Sequence, residues 1–325
     1  MTTAPYVPRR ADRSVPTLGR ARRRRRLTVL AFLSPGLVGL AVFFVYPLVA
    51  NVYYSLCHFD LINPPRFIGL ANYRYMVDKD DQIGTAVLNT LWYTVVSVPI
   101  QLLFALGVAL LISRVKRGAG VYRTLFYLPT LLPPVAATLA FAFVLSPGSG
   151  PMNAVLGWLH LPQPLWFNDP HWSKPSLVLL SLWGVGNTMI VMLAGILDVP
   201  VSLYEAARLD GAGAWRQFRS VTLPSISPVL LFAVVTGAIQ SLQLFSQPYV
   251  ASTVVDNGSG LTASSLGYPQ NSTLTYTIWL YQQGFRYFNM GYASALSVVL
   301  FLGTLAVTLV ILRSTRTLVH AETEG

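Results

Sequence analysis

Apolar runs at about 28–50, 88–112, 123–145, 176–197, 226–246 and 291–312 recur along the chain, and the segments between them hold nearly all of its charge. Each run is close to the roughly 20 residues that a helix needs to cross the hydrocarbon of a bilayer. The pattern predicts an all-α polytopic membrane protein with about six transmembrane helices. Pro35, Pro47, Pro99 and Pro133 stand inside or at the mouth of these runs. They predict kinks rather than loops, because neighbouring helices in a bundle can satisfy the freed backbone groups.

The basic residues fix an expected orientation, since short cytoplasmic loops carry the excess of Lys and Arg. If both ends lie inside, 18 of the 23 basic residues fall on the inner side, among them Arg114, Lys116, Arg117, Arg123, Arg208, Arg216, Arg219, Arg313 and Arg316. The outer side then holds Arg66, Arg74, Lys79, Lys174 and Arg286, together with the acidic cluster Asp78, Asp80 and Asp81. The expected organisation is a basic cytoplasmic tail over 1–27, a transmembrane domain over 28–312 with a polar inner loop at about 198–225, and a cytoplasmic tail over 313–325. The run Arg22 to Arg26 before an apolar stretch also suits a secretory leader. That stretch is longer than the 7–15 residues of a signal core and is followed by further spans, so it reads as an uncleaved first helix.

Composition narrows the chemistry. Apolar residues make up 53% of the chain and charged ones only 11%, against the roughly one quarter of a soluble domain. The net charge of +11 could suggest nucleic acid, but nine arginines crowd the first 26 residues, where they hold a helix start inside and meet anionic lipid. No nucleic-acid partner is expected. The single cysteine, Cys57, allows no internal disulfide and no cysteine zinc cluster, and reads as packing. No lysine stands in a phosphate-cradling Gly-x-x-x-x-Gly-Lys run. His58, His160, His171 and His320 all lie outside the apolar runs, and the twelve acidic residues lie in loops, tails or helix ends. No metal site, no intramembrane proton relay and no catalytic set is expected. A secondary carrier or channel would be expected to show an internal repeat or ionisable groups within the spans, and a membrane enzyme an acid, base or nucleophile at depth.

The loop between the fourth and fifth runs is unusual. Ser202-Leu203-Tyr204-Glu205 matches a capping box, in which the Ser202 hydroxyl accepts from the Glu205 amide. A short helix should therefore start there, continue through Ala206, Ala207 and Leu209, and stop at Gly211 after Asp210. A second short segment, Ala214 to Arg219, combines aromatic and cationic groups before Pro224. The expectation is a helix-turn-helix outside the membrane. A capped amphipathic loop lying on lipid headgroups is the alternative.

At these residues the chain resembles the permease subunits of binding-protein-dependent ATP-binding cassette importers of the carbohydrate branch. Their Glu-Ala-Ala, Asp-Gly-Ala and Leu-Pro signature is met at Glu205-Ala206-Ala207, Asp210-Gly211-Ala212 and Leu223-Pro224. Leu33 to Gly36, Phe67 to Tyr73, Asn89-Thr90, Tyr122 to Pro129 and Gly291 to Ala295 are similar to the same family. The outer stretch Gly267 to Thr273 departs from the Gly-Gly-Pro often found there, and no site is assigned to it. The resemblance implies a coupling helix seated on a separate ATPase, with Glu205 making polar contacts, Ala206 and Ala207 allowing close docking, and Gly211 permitting the turn. It implies a second permease, as a heterodimer, two ATPase subunits that hold ATP and Mg, an extracytoplasmic substrate-binding protein, and the cytoplasmic membrane of a bacterium or archaeon. This chain would hold no cofactor and catalyse nothing.

Intramembrane polar groups are the candidates for a substrate path, because they are costly in lipid. Thr236, Gln240, Gln243 and Gln247 recur at helical spacing along one face, and Asn187 sits beside Thr188 with Trp183 one turn earlier. Amides suit hydroxyl-rich ligands and an aromatic face can pack on a sugar ring. The same amides could join two permeases, and only some need line the path.

Overall fold

The computed structural model describes residues 18–255 and 266–319, with side chains over 26–253 and 266–314. The start of the basic tail and the last residues of the chain, His320 among them, lie outside the described residues. The described residues fall into two compact units, one ending at Tyr53 and the other starting at Tyr54.

In the first unit α1 (Leu18–Leu40) passes through one π-turn, Ala41–Val45, into α2 (Tyr46–Ser55). Helix begins ahead of the apolar run because arginine is a good helix former. Pro35 cannot donate to the carbonyl four residues back, at Ala31. The Ser34 hydroxyl donates to that carbonyl instead, at 2.9 Å, and the helix continues. The π-turn precedes Pro47 and absorbs the second proline, so both are tolerated inside helix as expected.

The second unit opens on a two-stranded antiparallel pair, β1 (Cys57–His58) and β2 (Arg66–Phe67). Helices α3 (Ala71–Asp78) and α4 (Asp81–Ser113) follow, then α5 (Ala119–Tyr127), α6 (Pro134–Val144) and α7 (Pro151–Trp158). Next come α8 (Pro170–Trp183), α9 (Gly186–Asp198), α10 (Val201–Leu209), α11 (Ala214–Gln217), α12 (Leu223–Ser225) and α13 (Ser227–Leu242). The unit closes with α14 (Ser246–Val255), α15 (Tyr276–Tyr281) and α16 (Met290–Val319), the last running past the apolar run that ends near 312.

Among the described residues, four helices are long and apolar enough to cross a membrane: Arg26–Ser55, Asp81–Ser113, Ser227–Thr253 and Met290–Ser314. Two bent pairs raise the total to six if each pair is one span. One pair, Pro170–Trp183 with Gly186–Asp198, bends by 50°. The other, Ala119–Leu131 with Pro134–Val144, bends by 101°, which corrects the expectation of a mere kink at Pro133. Leu132 and Pro133 each precede a proline and are driven to extended backbone, with ψ of 135° and 137°. Two consecutive residues out of the helical region break the third span.

The core is built on α4, whose 33 residues extend about 50 Å. Ala105 and Ala109, both fully buried, let α9 approach closely, and Leu106, Val108 and Ile112 meet Met189, Met192, Leu193 and Ile196. Small residues at helix contacts are the usual device where lipid offers no hydrophobic drive. Tyr93 of α4 joins a second cluster with Ala142, Leu145, Leu177, Val178 and Ala251. Cys57 is buried beside the start of α16, where Gly291 donates its backbone N–H to the Phe59 carbonyl at 3.0 Å. A Cβ on Gly291 would fall 2.1 Å from the Cys57 carbonyl oxygen, so only glycine fits.

Candidate functional site

The loop over 198–225 is strapped to the bundle from one side and bare on the other. Helix α10 starts at Val201 with Pro200 as its N-cap, and no side chain caps it. The expected Ser202–Glu205 capping box is therefore not formed: Pro200, pre-set for a helix entry, moves the start two residues earlier and puts Ser202 inside the first turn. The expected stop is present. Ala212 N–H donates to the Ala207 carbonyl at 2.9 Å and Gly211 N–H to the Arg208 carbonyl at 3.0 Å, the two bonds of a Schellman turn. Gly211 holds φ +76°, where a side chain would be strained.

The second half of the loop is more continuous than expected. α11 runs through one π-turn, Phe218–Thr222, into α12, which carries Pro224 in its first turn, and then reaches α13. The Tyr204 hydroxyl pairs with the Thr222 hydroxyl at 3.0 Å, and the Gln217 amide donates to the Ala212 carbonyl at 2.7 Å. Val201, Tyr204 and Arg208 line a groove against α4 and α9. The opposite helical face carries Ser202, Glu205, Ala206 and Leu209, all exposed, Leu209 at 90%. Ala207 is half-buried and Asp210 exposed. Among the described residues Glu205 has no hydrogen-bonding or ionic partner.

Deeper in the bundle a cavity of about 210 Å³ opens between α4, α9 and α13. Asn187, Thr236 and Gln240 line it, as the polar spacing suggests, joined by Thr188 and by Gln101 of α4. Gln101 escaped notice because it stands alone in the apolar run after Pro99; a lone amide at that depth was the available signal. Thr236 turns its hydroxyl back to the Phe232 carbonyl at 2.8 Å, leaving the amides and the Thr188 hydroxyl as the cavity's free donors and acceptors.

The rest of the expected stripe is not brought there. Helix α13 ends at Leu242, so Gln243 is exposed and off the cavity, while Gln247 lies on α14 with its Oε1 buried and without a partner among the described residues. The cause is Pro248, which cannot donate to the Leu244 carbonyl. The Thr275 and Thr277 hydroxyls donate to that oxygen instead and hold the helix open. Trp183 packs on Phe141 with ring centroids 5.4 Å apart and does not line the cavity.

The other end of α4 is closed by a polar clasp to which no role was assigned from sequence. Asp80 caps α4 through Gln82 N–H and Ile83 N–H, and also accepts from Trp279 Nε1 at 2.7 Å and from the Tyr292 hydroxyl. Asn89 donates to the carbonyls of Asn271 and Leu274 and accepts from Lys174 Nζ at 2.9 Å. Thr90 accepts from Tyr276 N–H. The stretch Gly267 to Thr273 is thereby tied to α4. Among the described residues no three His, Cys, Asp or Glu side chains converge to hold a metal ion.

Residues 101–319 match the family described as binding-protein-dependent transport system inner membrane component. This chain belongs to that family. The permease is 33% identical to the probable ABC transporter permease protein YesP of Bacillus subtilis, over 94% of this chain and 96% of that protein. It is 35% identical to the sulfoquinovosyl glycerol transport system permease protein SmoG of Agrobacterium fabrum, over 90% and 91% of the two chains. Its fold matches a chain of the bacterial alginate ABC transporter solved with an alginate pentasaccharide-bound periplasmic protein, with TM-score 0.77 at 21% identity over 92% of this chain and 97% of that one. The permease is accordingly a multi-pass membrane transport component.

Proposed function

We propose that the permease is one half of the translocation path of an ATP-driven importer of a sugar or oligosaccharide, driven through α10 by a separate ATPase. The observation that carries this reading is a single connected path. An exposed helical face with Glu205, Ala206 and Leu209 leads through the Tyr204–Thr222 pair to the start of α13, whose far half carries Thr236 and Gln240 into the cavity. A push on α10 has a hydrogen-bonded route to the helix that lines the path.

The cavity's Gln101, Asn187 and Gln240 amides each offer donors and acceptors, which suits a neutral hydroxyl-rich ligand. SmoG, named for sulfoquinovosyl glycerol, and the transporter of alginate, an acidic polysaccharide, agree with the hydroxyl-rich part of that class and not with its neutrality. Gln243, exposed and off the cavity, is better placed to meet a second permease. In this reading the arginine-rich end faces the cytoplasm of a bacterium or archaeon with both termini inside, two ATPase subunits hold ATP and Mg, and an extracytoplasmic binding protein delivers the substrate.

The test is sugar uptake by the chain co-purified with its candidate ATPase and second permease. Glu205→Ala and Gly211→Asp should abolish uptake while insertion is unchanged. Uptake without any ATPase, or normal uptake by both variants, would sink the proposal.

A further inference from the structure

The groove behind α10 has a volume of about 940 Å³, within the range of small-molecule sites, and the transport reading gives it no occupant. One wall is a single face of α4: Leu103, Leu106, Gly107, Leu110 and Arg114 recur at helical spacing. Leu103 to Arg114 rises about 16 Å along the helix, close to the half-thickness, about 15 Å, of a bilayer's hydrocarbon. The groove thus runs from mid-membrane apolar side chains to an arginine at the end of the span. A second arginine, Arg208 of α10, lines it as well, as does Trp215, which is 73% exposed. Among the described residues neither the Arg114 nor the Arg208 side chain has an acidic or hydrogen-bonding partner.

We infer that this groove holds one anionic phospholipid, its phosphate between Arg114 and Arg208 and an acyl chain along Leu110, Leu106 and Leu103. Charge complementarity selects a lipid over an apolar protein segment, and the one-leaflet length selects a lipid over a soluble phosphate. Trp215 stands at the headgroup level, where tryptophan is enriched. The lipid would wedge between α10 and α4 on the face opposite Glu205, leaving the docking face free.

The test reads binding without transport, so it stands apart from the uptake experiment. The complete transporter is placed in nanodiscs of phosphatidylcholine containing either phosphatidylglycerol or phosphatidylcholine with brominated acyl chains. Quenching is assigned to Trp215 by its loss in Trp215→Phe. Brominated phosphatidylglycerol should quench Trp215 at far lower content than brominated phosphatidylcholine. Arg114→Gln should weaken that preference about fivefold, as expected for one basic residue at a charged surface. Gly107→Leu, placed where a side chain meets open space, should remove quenching by both lipids with the charges intact. Equal quenching by the two lipids in the unmodified protein, or quenching that survives both Arg114→Gln and Gly107→Leu, overturns the inference. So does quenching that appears only when the ATPase is stripped away, which would make the groove a protein-docking surface.

Discussion

At one end of α4, Asp80, Asn89 and Thr90 each bond to another segment of the same chain; at the other, Glu205 and Leu209 stand on an exposed helical face, and Glu205 has no side-chain partner among the described residues. Both ends are rich in polar groups, so composition does not separate them. Satisfaction does. A polar group bonded within its own fold stabilises that fold, whereas a bare helical face with Leu209 almost fully exposed is poised for something outside. In the proposed importer the clasp end would work as a fixed frame and the loop end as a surface that receives force.

That contrast can be broken by substitution, ranked here by expected effect on stability. Gly291→Ala should be the most damaging, because its Cβ would meet a backbone oxygen rather than a side chain that can move. Overpacking of this kind costs about 1–3 kcal/mol or more, and the purified complex should melt earliest of the series. Asp80→Ala comes next. It removes a helix cap and two side-chain donors' acceptor, about 2–3 kcal/mol together, and should lower the melting temperature while leaving ATPase co-purification intact. If Asp80→Ala released the ATPase without lowering the melting temperature, the assignment of frame and force-bearing surface would be reversed.

The spans and the Gly211 stop were legible from the sequence because both rest on local rules. Length and apolarity suffice for a span, and a glycine after an alanine-rich turn suffices for a Schellman end. Three of the misreadings share one cause, which is proline acting at short range; the placement of Trp183 against Phe141 is not among them. Pro200 moved the α10 start off Ser202, the Leu132-Pro133-Pro134 sequence broke a span, and Pro248 ended the helix that would have carried Gln243 and Gln247 on one face. The clasp was illegible for a different reason. Asn89 and Asn271, or Asp80 and Tyr292, are remote in sequence, and nothing in their local pattern announces the pairing.

Tyr204→Phe is the subtlest change in the proposed path from α10 to α13. It deletes one hydroxyl from a 3.0 Å pair and should cost about 1 kcal/mol. The expected signature is a split: the ATPase still co-purifies and still hydrolyses ATP, but sugar stimulates it several-fold less, because α10 is no longer tied to the start of α13. Equal stimulation would show that force reaches α13 through the Phe218–Thr222 backbone alone.

Leu209→Ser should have the smallest effect on folding and still silence uptake. At 90% exposure the side chain is almost bare among the described residues, and surface changes of that kind stay within about 0.5 kcal/mol. A melting temperature equal to that of the unmodified chain, together with a several-fold loss of bound ATPase, would mark Leu209 as a contact that exists only in the assembly. A melting temperature lowered as far as by Asp80→Ala would mean instead that the α10 face is buried within the permease, and that the two ends of α4 are alike after all.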